Sequence, residues 1–251
     1  MTCFFIGAGP GAPDLITLRA QRVLARCRTC LYAGSLVPTA VLDHLPADAR
    51  RIDTQALELD EIVAEIAAAH ERGEDVARLH SGDLSVFSAL AEQARRLDRL
   101  GIPWEIVPGV PAFAAAAAAL RRELTVPGLS QAVILARYAR NASPVPDSET
   151  LERLAEHRST LVVHLGAHAL AEIVARLLPY YGPDCPAAVV ADASRPDERV
   201  VRAPLAELPA RAAEAGVRRN AVIFVGRALA AEGFCDSHLY SPARAASLRG
   251  E

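Results

Sequence analysis

The chain has 251 residues, 51% hydrophobic and 23% charged, enough to bury a sizeable core in one large or two small domains. Its net charge of −3 lacks the basic excess of a general nucleic-acid binder, and no polybasic tail is present to hold it to a membrane. All 27 basic residues are Arg, a pattern that fits codon bias or a need for planar guanidinium groups against a carboxylate-rich ligand.

Cys3-Phe-Phe-Ile6 is too short for a signal segment and the alanines at 112–119 are too weakly hydrophobic to span a bilayer, which predicts a cytoplasmic protein. Five scattered cysteines, an odd count, suit reduced thiols. Cys27-Arg-Thr-Cys30 has no second pair beside it, and His164 and His168 straddle a strand end, so no metal site is expected.

In chain order, Thr2–Ile6 reads as a strand, Gly7-Ala-Gly-Pro-Gly-Ala-Pro-Asp14 as a loop, and Leu18–Ala25 as a helix capped by Thr17. Gly7, Gly9 and Ala12 meet a loose dinucleotide fingerprint. Pro10 and Pro13, however, keep the loop from running straight into a helix, and Tyr32 rather than an acid ends the next strand, so a nicotinamide or flavin site is set aside. Thr29–Tyr32 is a strand, 33–38 a turn, Thr39–His44 a short helix, and Leu59–Arg72 an amphipathic helix with Ile62, Val63 and Ile66 on one face.

Residues 77–90 predict a strand, a tight turn at Ser81-Gly82-Asp83, and a helix from about Ser88 to Leu100 that Ser81 or Asp83 can cap. Such a turn is an ordinary strand-to-helix connection or one wall of a ligand crevice at the carboxyl ends of a sheet. Trp104–Val107 is a strand, 108–111 a turn, and Ala112–Leu120 a helix. The periodicity falters over 123–130, which predicts two domains, 1–126 and 127–251. The first is α/β with five strands in a mainly parallel sheet. The second is α+β with a mixed sheet, its strands at 132–136, 160–164, 187–191, 198–202 and 221–225, the third and fourth forming a hairpin, and its helices near 148–157, 169–178 and 205–215.

Six stretches in this order resemble one family: Gly7–Thr17, Tyr32-Ala-Gly-Ser-Leu-Val37, Leu79-His-Ser-Gly-Asp-Leu-Ser-Val-Phe87, Ile106–Val110, Arg137–Pro146 and Asp192-Ala-Ser-Arg-Pro-Asp197. The chain is similar over nearly its whole length to the cobalamin-pathway precorrin methyltransferases, relatives of the uroporphyrinogen-III methyltransferase. The resemblance implies the two-domain tetrapyrrole-methylase fold, a site in the cleft between the domains, and a homodimer. It also implies S-adenosylmethionine as cofactor, leaving as S-adenosylhomocysteine, and methylation of carbon 11 of precorrin-4. Another precorrin position, cobalt-precorrin-4, or ribosomal RNA acted on by an enzyme of the same fold are the alternative substrates.

Carried over by position, the resemblance assigns the cofactor to Ser81, Gly82, Asp83, Val86, Pro111, Ala112, Leu165, Ala193 and Ala221. It sets Gly9, Pro10 and Gly11 at the border of a tetrapyrrole trough. This chain departs from its relatives at Leu84 (usually Pro), at Pro111 (usually Ser or Thr) and in Ala136-Arg-Tyr-Ala-Arg140 (usually T-R-x-x-G-R).

Chemistry assigns the remaining roles. A sulfonium donor carries its own activation, so the protein's task is to position the acceptor carbon. Asp83 stabilises the sulfonium or binds the amino group, or else caps a helix. Arg137 and Arg140 pair with substrate carboxylates or are solvated surface charges. Tyr32 and Ser35 shape the trough or serve packing and turn capping. Asp83 and Tyr32 are candidates for positioning, and no general base is assigned.

Overall fold

Cys3–Gly7, five residues without a charged side chain, forms β1 and is buried along its length. It lies in a sheet of order β3-β2-β4-β1-β5, with β2 at Thr29–Tyr32, β3 at Arg50–Asp53, β4 at Val76–His80 and β5 at Trp104–Val107. Every pairing in this sheet is parallel. Parallel strands covered on both faces read as continuous apolar runs, which is why β1 and β4 were plain in the sequence. The computed structural model describes residues 1–34, 36–138 and 144–249. It divides into two compact units, Met1–Ala115 with Asp192–Asp197, and Ala116–Ala191 with Glu198–Glu251.

In the first unit, α1 (Leu18–Leu24) is capped by Thr17, whose hydroxyl accepts from the Ala20 N–H at 3.2 Å. α2 (Leu59–Glu71) opens on a reciprocal Glu58–Glu61 capping box and is followed by α3 (Leu90–Arg99), and the unit ends at Ala115, within α4 (Ala112–Ala119). Alternate strand residues feed the two faces. Phe4, Ile6, Ala77 and Leu79 pack with Ala20, Val23 and Leu24 on one side, while Cys3, Phe5, Leu31 and Val76 pack with Ile62, Ile66 and Leu97 on the other.

One of the five strands was given no position from the sequence and has no apolar signature. β3, Arg50-Arg-Ile-Asp53, is an edge strand with three exposed positions, and charge along such an edge discourages pairing with other chains. The helix expected after Ser81-Gly82-Asp83 also differs. It begins at Leu90 behind Ala89, which sits in the left-handed region at φ 54°, and neither Ser81 nor Asp83 caps it.

The second unit carries β6 (Val133–Arg137), β7 (Thr160–His164), β8 (Pro186–Ala191), β9 (Arg199–Pro204) and β10 (Ala221–Val225) in the order β6-β7-β10-β8-β9. Only β6 and β7 run parallel, so the sheet is mixed, and β8 and β9 form the expected hairpin. α5 (Leu151–Ala155), α6 (Leu170–Tyr181) and α7 (Leu208–Glu214) accompany the sheet, and α8 (Pro242–Arg249), which the sequence did not announce, ends the chain's described part. The helix expected over 148–157 is shorter because Thr150 caps a new start, accepting from the Arg153 N–H.

Cys3, Cys27, Cys30 and Cys185 are buried free thiols. Burial pushes the first three up to about 12, which keeps them protonated and unreactive.

Candidate functional site

β1, β4 and β5 end at one edge of the parallel sheet, and the loops that follow them interlock through glycine. The Ala8 N–H donates to the His80 carbonyl at 2.7 Å, and Gly9 and Gly82 exchange backbone hydrogen bonds at 3.1 and 2.8 Å. A Cβ on Gly7 would lie 2.6 Å from the Gly109 Cα and 2.8 Å from the Gly82 oxygen, so the three loops meet with no room for a side chain. Gly82 sits at φ 69°, a conformation glycine enters without strain, and faces the Pro111–Ala112 backbone at ordinary contact distance.

Asp83 locks the arrangement. Its Oδ2 accepts from the Gly109 N–H at 2.9 Å, and its Oδ1 accepts from the Ser85 N–H at 2.8 Å and from the Ser85 hydroxyl. Partial burial works to raise this carboxyl. The bonds from the Ser85 hydroxyl and from the N–H groups of Gly109, Ser85 and Leu84 outweigh it, and Asp83 is held below its ordinary value as a carboxylate. Its role here is to staple two loops.

His80, the last residue of β4, packs beside Phe5 with ring centres 5.9 Å apart, and its buried Nε2 has no hydrogen-bond partner among the described residues. Burial and then the Arg78 charge push the imidazole down to about 4, against a hydrogen bond with the Ser88 backbone that works upward. The folded value lies below the ordinary 6.5, so the unfolded chain takes up the proton first, and the stability due to neutral His80 is lost as pH falls from 6.5 toward 4. His80→Phe is expected to flatten the dependence of unfolding free energy on pH across that window. Equal slopes for the two proteins would refute it.

The segment Asp192–Asp197 belongs to the same unit. The Ser194 hydroxyl accepts from the Ala12 N–H at 2.9 Å, and the Arg195 guanidinium donates to the Leu36 carbonyl at 2.8 Å. Gly11 leaves the space this needs, since a Cβ there would lie 2.5 Å from the Arg195 Cγ and 3.0 Å from the Ala193 oxygen. The glycine-proline loop and the loop after β2 are thereby fastened by residues more than 150 positions away in sequence.

Of the residues singled out from sequence, this unit gathers Gly9, Pro10, Gly11, Ser81, Gly82, Asp83, Val86, Pro111, Ala112 and Ala193. Tyr32 ends β2, and its carbonyl accepts from the Thr54 N–H and hydroxyl at 2.8 and 3.2 Å. Leu165, Ala221 and Arg137 lie in the second unit. They share one end of its sheet: Arg137 pairs with His164, Leu165 follows at φ 58° with its side chain exposed, and Ala221 opens β10 opposite Ala191. Ser35 and Arg140 lie outside the described residues. Sequence reasoning missed Ser194 and Arg195 as fasteners, although Asp192–Asp197 had been noticed. It also passed over Arg78, a charge inside an apolar strand.

A parallel sheet whose strand-end loops interlock through glycine, joined in one chain to a mixed sheet, defines a two-unit α/β protein built to hold a ligand at those loops. A family model described as Tetrapyrrole (Corrin/Porphyrin) Methylases matches residues 2–209, and the chain belongs to that family. The precorrin-4 C(11)-methyltransferase of Rhodococcus erythropolis is 58% identical over 244 residues, 97% of this chain and 98% of that protein. Among solved structures, a cobalt precorrin-4 methyltransferase superposes with a TM-score of 0.88 at 37% identity, covering 91% of this chain and 95% of its own. The Thermus thermophilus uroporphyrin-III C-methyltransferase, complexed with S-adenyl homocysteine, gives 0.76 at 31% identity, covering 92% and 99%.

Proposed function

We propose that this protein is an S-adenosylmethionine-dependent methyltransferase that methylates carbon 11 of precorrin-4, giving precorrin-5 in cobalamin biosynthesis. The observation that carries the reading is the full-length identity of 58% to an enzyme named for that reaction, against 37% to one named for the cobalt-bound substrate.

The residues present fit the cofactor. Asp83, kept ionised by its hydrogen bonds, supplies negative charge for a cationic methionine end. Gly82 presents backbone without a side chain opposite Pro111 and Ala112, and the start of α4 offers the positive end of a helix to a carboxylate. When bound, S-adenosylmethionine supplies an already activated methyl group. The chain's own residues bind and orient: Ser81, Gly82, Asp83, Val86, Pro111, Ala112 and Ala193, with Leu165 and Ala221 from the second unit, take the cofactor. Gly9, Pro10, Gly11, Tyr32, Ser35, Arg137 and Arg140 take the substrate. Arginine suits that task because its planar fork matches the acetate and propionate carboxylates of a tetrapyrrole. Much of the catalysis is therefore the holding of two reactants in one geometry.

The protein works as a homodimer in the cytoplasm under this reading. Buried free thiols support a reducing compartment, and no helix among the described residues is long and apolar enough to cross a membrane. Purified protein incubated with methyl-labelled S-adenosylmethionine and the precorrin series is expected to label precorrin-4 alone. Label on another intermediate or on RNA, with none on precorrin-4, overturns the assignment.

A further inference from the structure

Arg78 lies at the middle of β4, and it is buried. Among the described residues no carboxylate pairs with it, and its guanidinium donates to neutral groups, Nε to the Gln93 Oε1 at 3.0 Å and Nη1 to the Thr54 hydroxyl at 3.1 Å. Gln93 and Thr54 are buried too. A buried guanidinium without a counter-ion is an expensive way to fill space, and an apolar side chain of similar volume generally serves stability as well or better.

The two partners each reach one step further. The Thr54 hydroxyl donates to the Tyr32 carbonyl at 3.2 Å, and the Gln93 amide donates to the Ala89 carbonyl at 2.9 Å. Arg78 is thus the hub of one directed chain of hydrogen bonds. One arm ends where β2 hands over to its loop. The other ends on the last residue of the Ser81–Ala89 loop, which carries the Ser81-Gly82-Asp83 turn.

That loop needs holding. Phe87 and Ala89 both lie in the left-handed region, at φ 52° and 54°, where a side-chain-bearing residue stays only if its surroundings over-determine it. Asp83 and Ser85 fasten the loop near its start, the Ser88 hydroxyl donates to the Leu84 carbonyl at 2.8 Å, and Gln93 fastens its end.

We propose that Arg78, through Gln93 and Thr54, is a positioning residue that sets the Ser81–Ala89 loop and the end of β2 for cofactor and tetrapyrrole respectively, and that the Gln93 arm controls cofactor affinity. The inference rests on the function proposed above, because it takes those loops to be the cofactor and substrate walls. Arg78 touches neither ligand in this scheme. The two arms are separable: loss of the Gln93 arm weakens S-adenosylmethionine, while loss of the Thr54 arm raises the KM for the tetrapyrrole.

Gln93→Glu is the deciding variant. It keeps the oxygen that accepts from Arg78 and removes the N–H that donates to Ala89, so a role in mere core stability predicts a wild-type cofactor Kd. The positioning role instead predicts an unchanged or higher Tm with a Kd for S-adenosylmethionine raised by about tenfold, read by calorimetry. Thr54→Val is expected to raise the tetrapyrrole KM with the cofactor Kd unchanged, and Thr54→Ser, which restores the hydroxyl, to reverse it. A folded Gln93→Glu protein that binds the cofactor as wild type does overturns the proposal. If that variant unfolds, Gln93→Met, which removes both bonds and is expected to lower Tm, is read by affinity alone: a raised Kd for S-adenosylmethionine in the folded protein supports the proposal and a wild-type Kd overturns it. Failure of the wild-type protein to bind S-adenosylmethionine would instead remove the functional reading beneath it.

Discussion

Gly109→Ala is expected to abolish cofactor binding and to lower the unfolding free energy by about 3 kcal/mol or more, the upper end of what overpacking costs. The added methyl would lie 2.2 Å from the Gly82 oxygen and 2.8 Å from the Gly7 carbonyl carbon and Cα. All three atoms are backbone, so no side chain can swing away to make room. Relief requires the loops after β1 and β4 to part from the loop after β5, which breaks the bond from the Gly109 N–H to Asp83. Two other glycines calibrate the result. Gly73, at φ 73° with nothing within 4 Å of a built Cβ, isolates the cost of a left-handed alanine, about 1 kcal/mol. Gly82→Ala adds ordinary van der Waals contacts to the same backbone cost, since its nearest neighbour would be at 3.5 Å. The expected order of destabilisation by urea titration is therefore Gly109 well beyond Gly82, with Gly82 close to Gly73. A Gly109→Ala protein of wild-type stability and affinity would show that the interlock does not shape the loops.

The ordering of those three glycines was not legible in the sequence, although each glycine was. Strands buried on both faces reveal themselves as apolar runs, Thr17 reveals α1 through its side chain, and glycines clustered after strands reveal loops that ligands approach. What stayed hidden is what depends on distant partners. β3 carries Arg50, Arg51 and Asp53 because an edge strand needs charge more than apolar alternation. Residues 84–89 have helical spacing yet form an irregular loop, since Asp83, Ser85 and Gln93 spend their polar atoms on the loop itself. Ser194 and Arg195 act on Ala12 and Leu36 across 182 and 159 residues, a distance over which local pattern carries no information. The family resemblance, through its motif, pointed at the segment without saying what it fastens.

Asp83→Ala is expected to cost about 2–3 kcal/mol and at least tenfold in affinity for S-adenosylmethionine, because it strands the Gly109 and Ser85 donors that the carboxylate now serves. Its pH signature follows from the depressed pKa. The folded state holds Asp83 ionised below its ordinary 3.8, so the carboxylate's contribution is complete above the unfolded value and is lost as pH falls through the folded one. The stability gap between wild type and variant should thus be constant from neutral pH to about pH 5 and close below about pH 4. Asp83→Asn separates the two roles of the side chain. It retains an oxygen for Ser85 but turns an NH2 donor toward the Gly109 N–H, which loses its acceptor, so its stability should fall between the other two proteins. A loop staple requires cofactor affinity to follow that same order. A direct charge on the sulfonium instead makes the asparagine variant bind as poorly as the alanine one while remaining the more stable of the pair. Unchanged affinity in Asp83→Ala removes Asp83 from the cofactor site altogether.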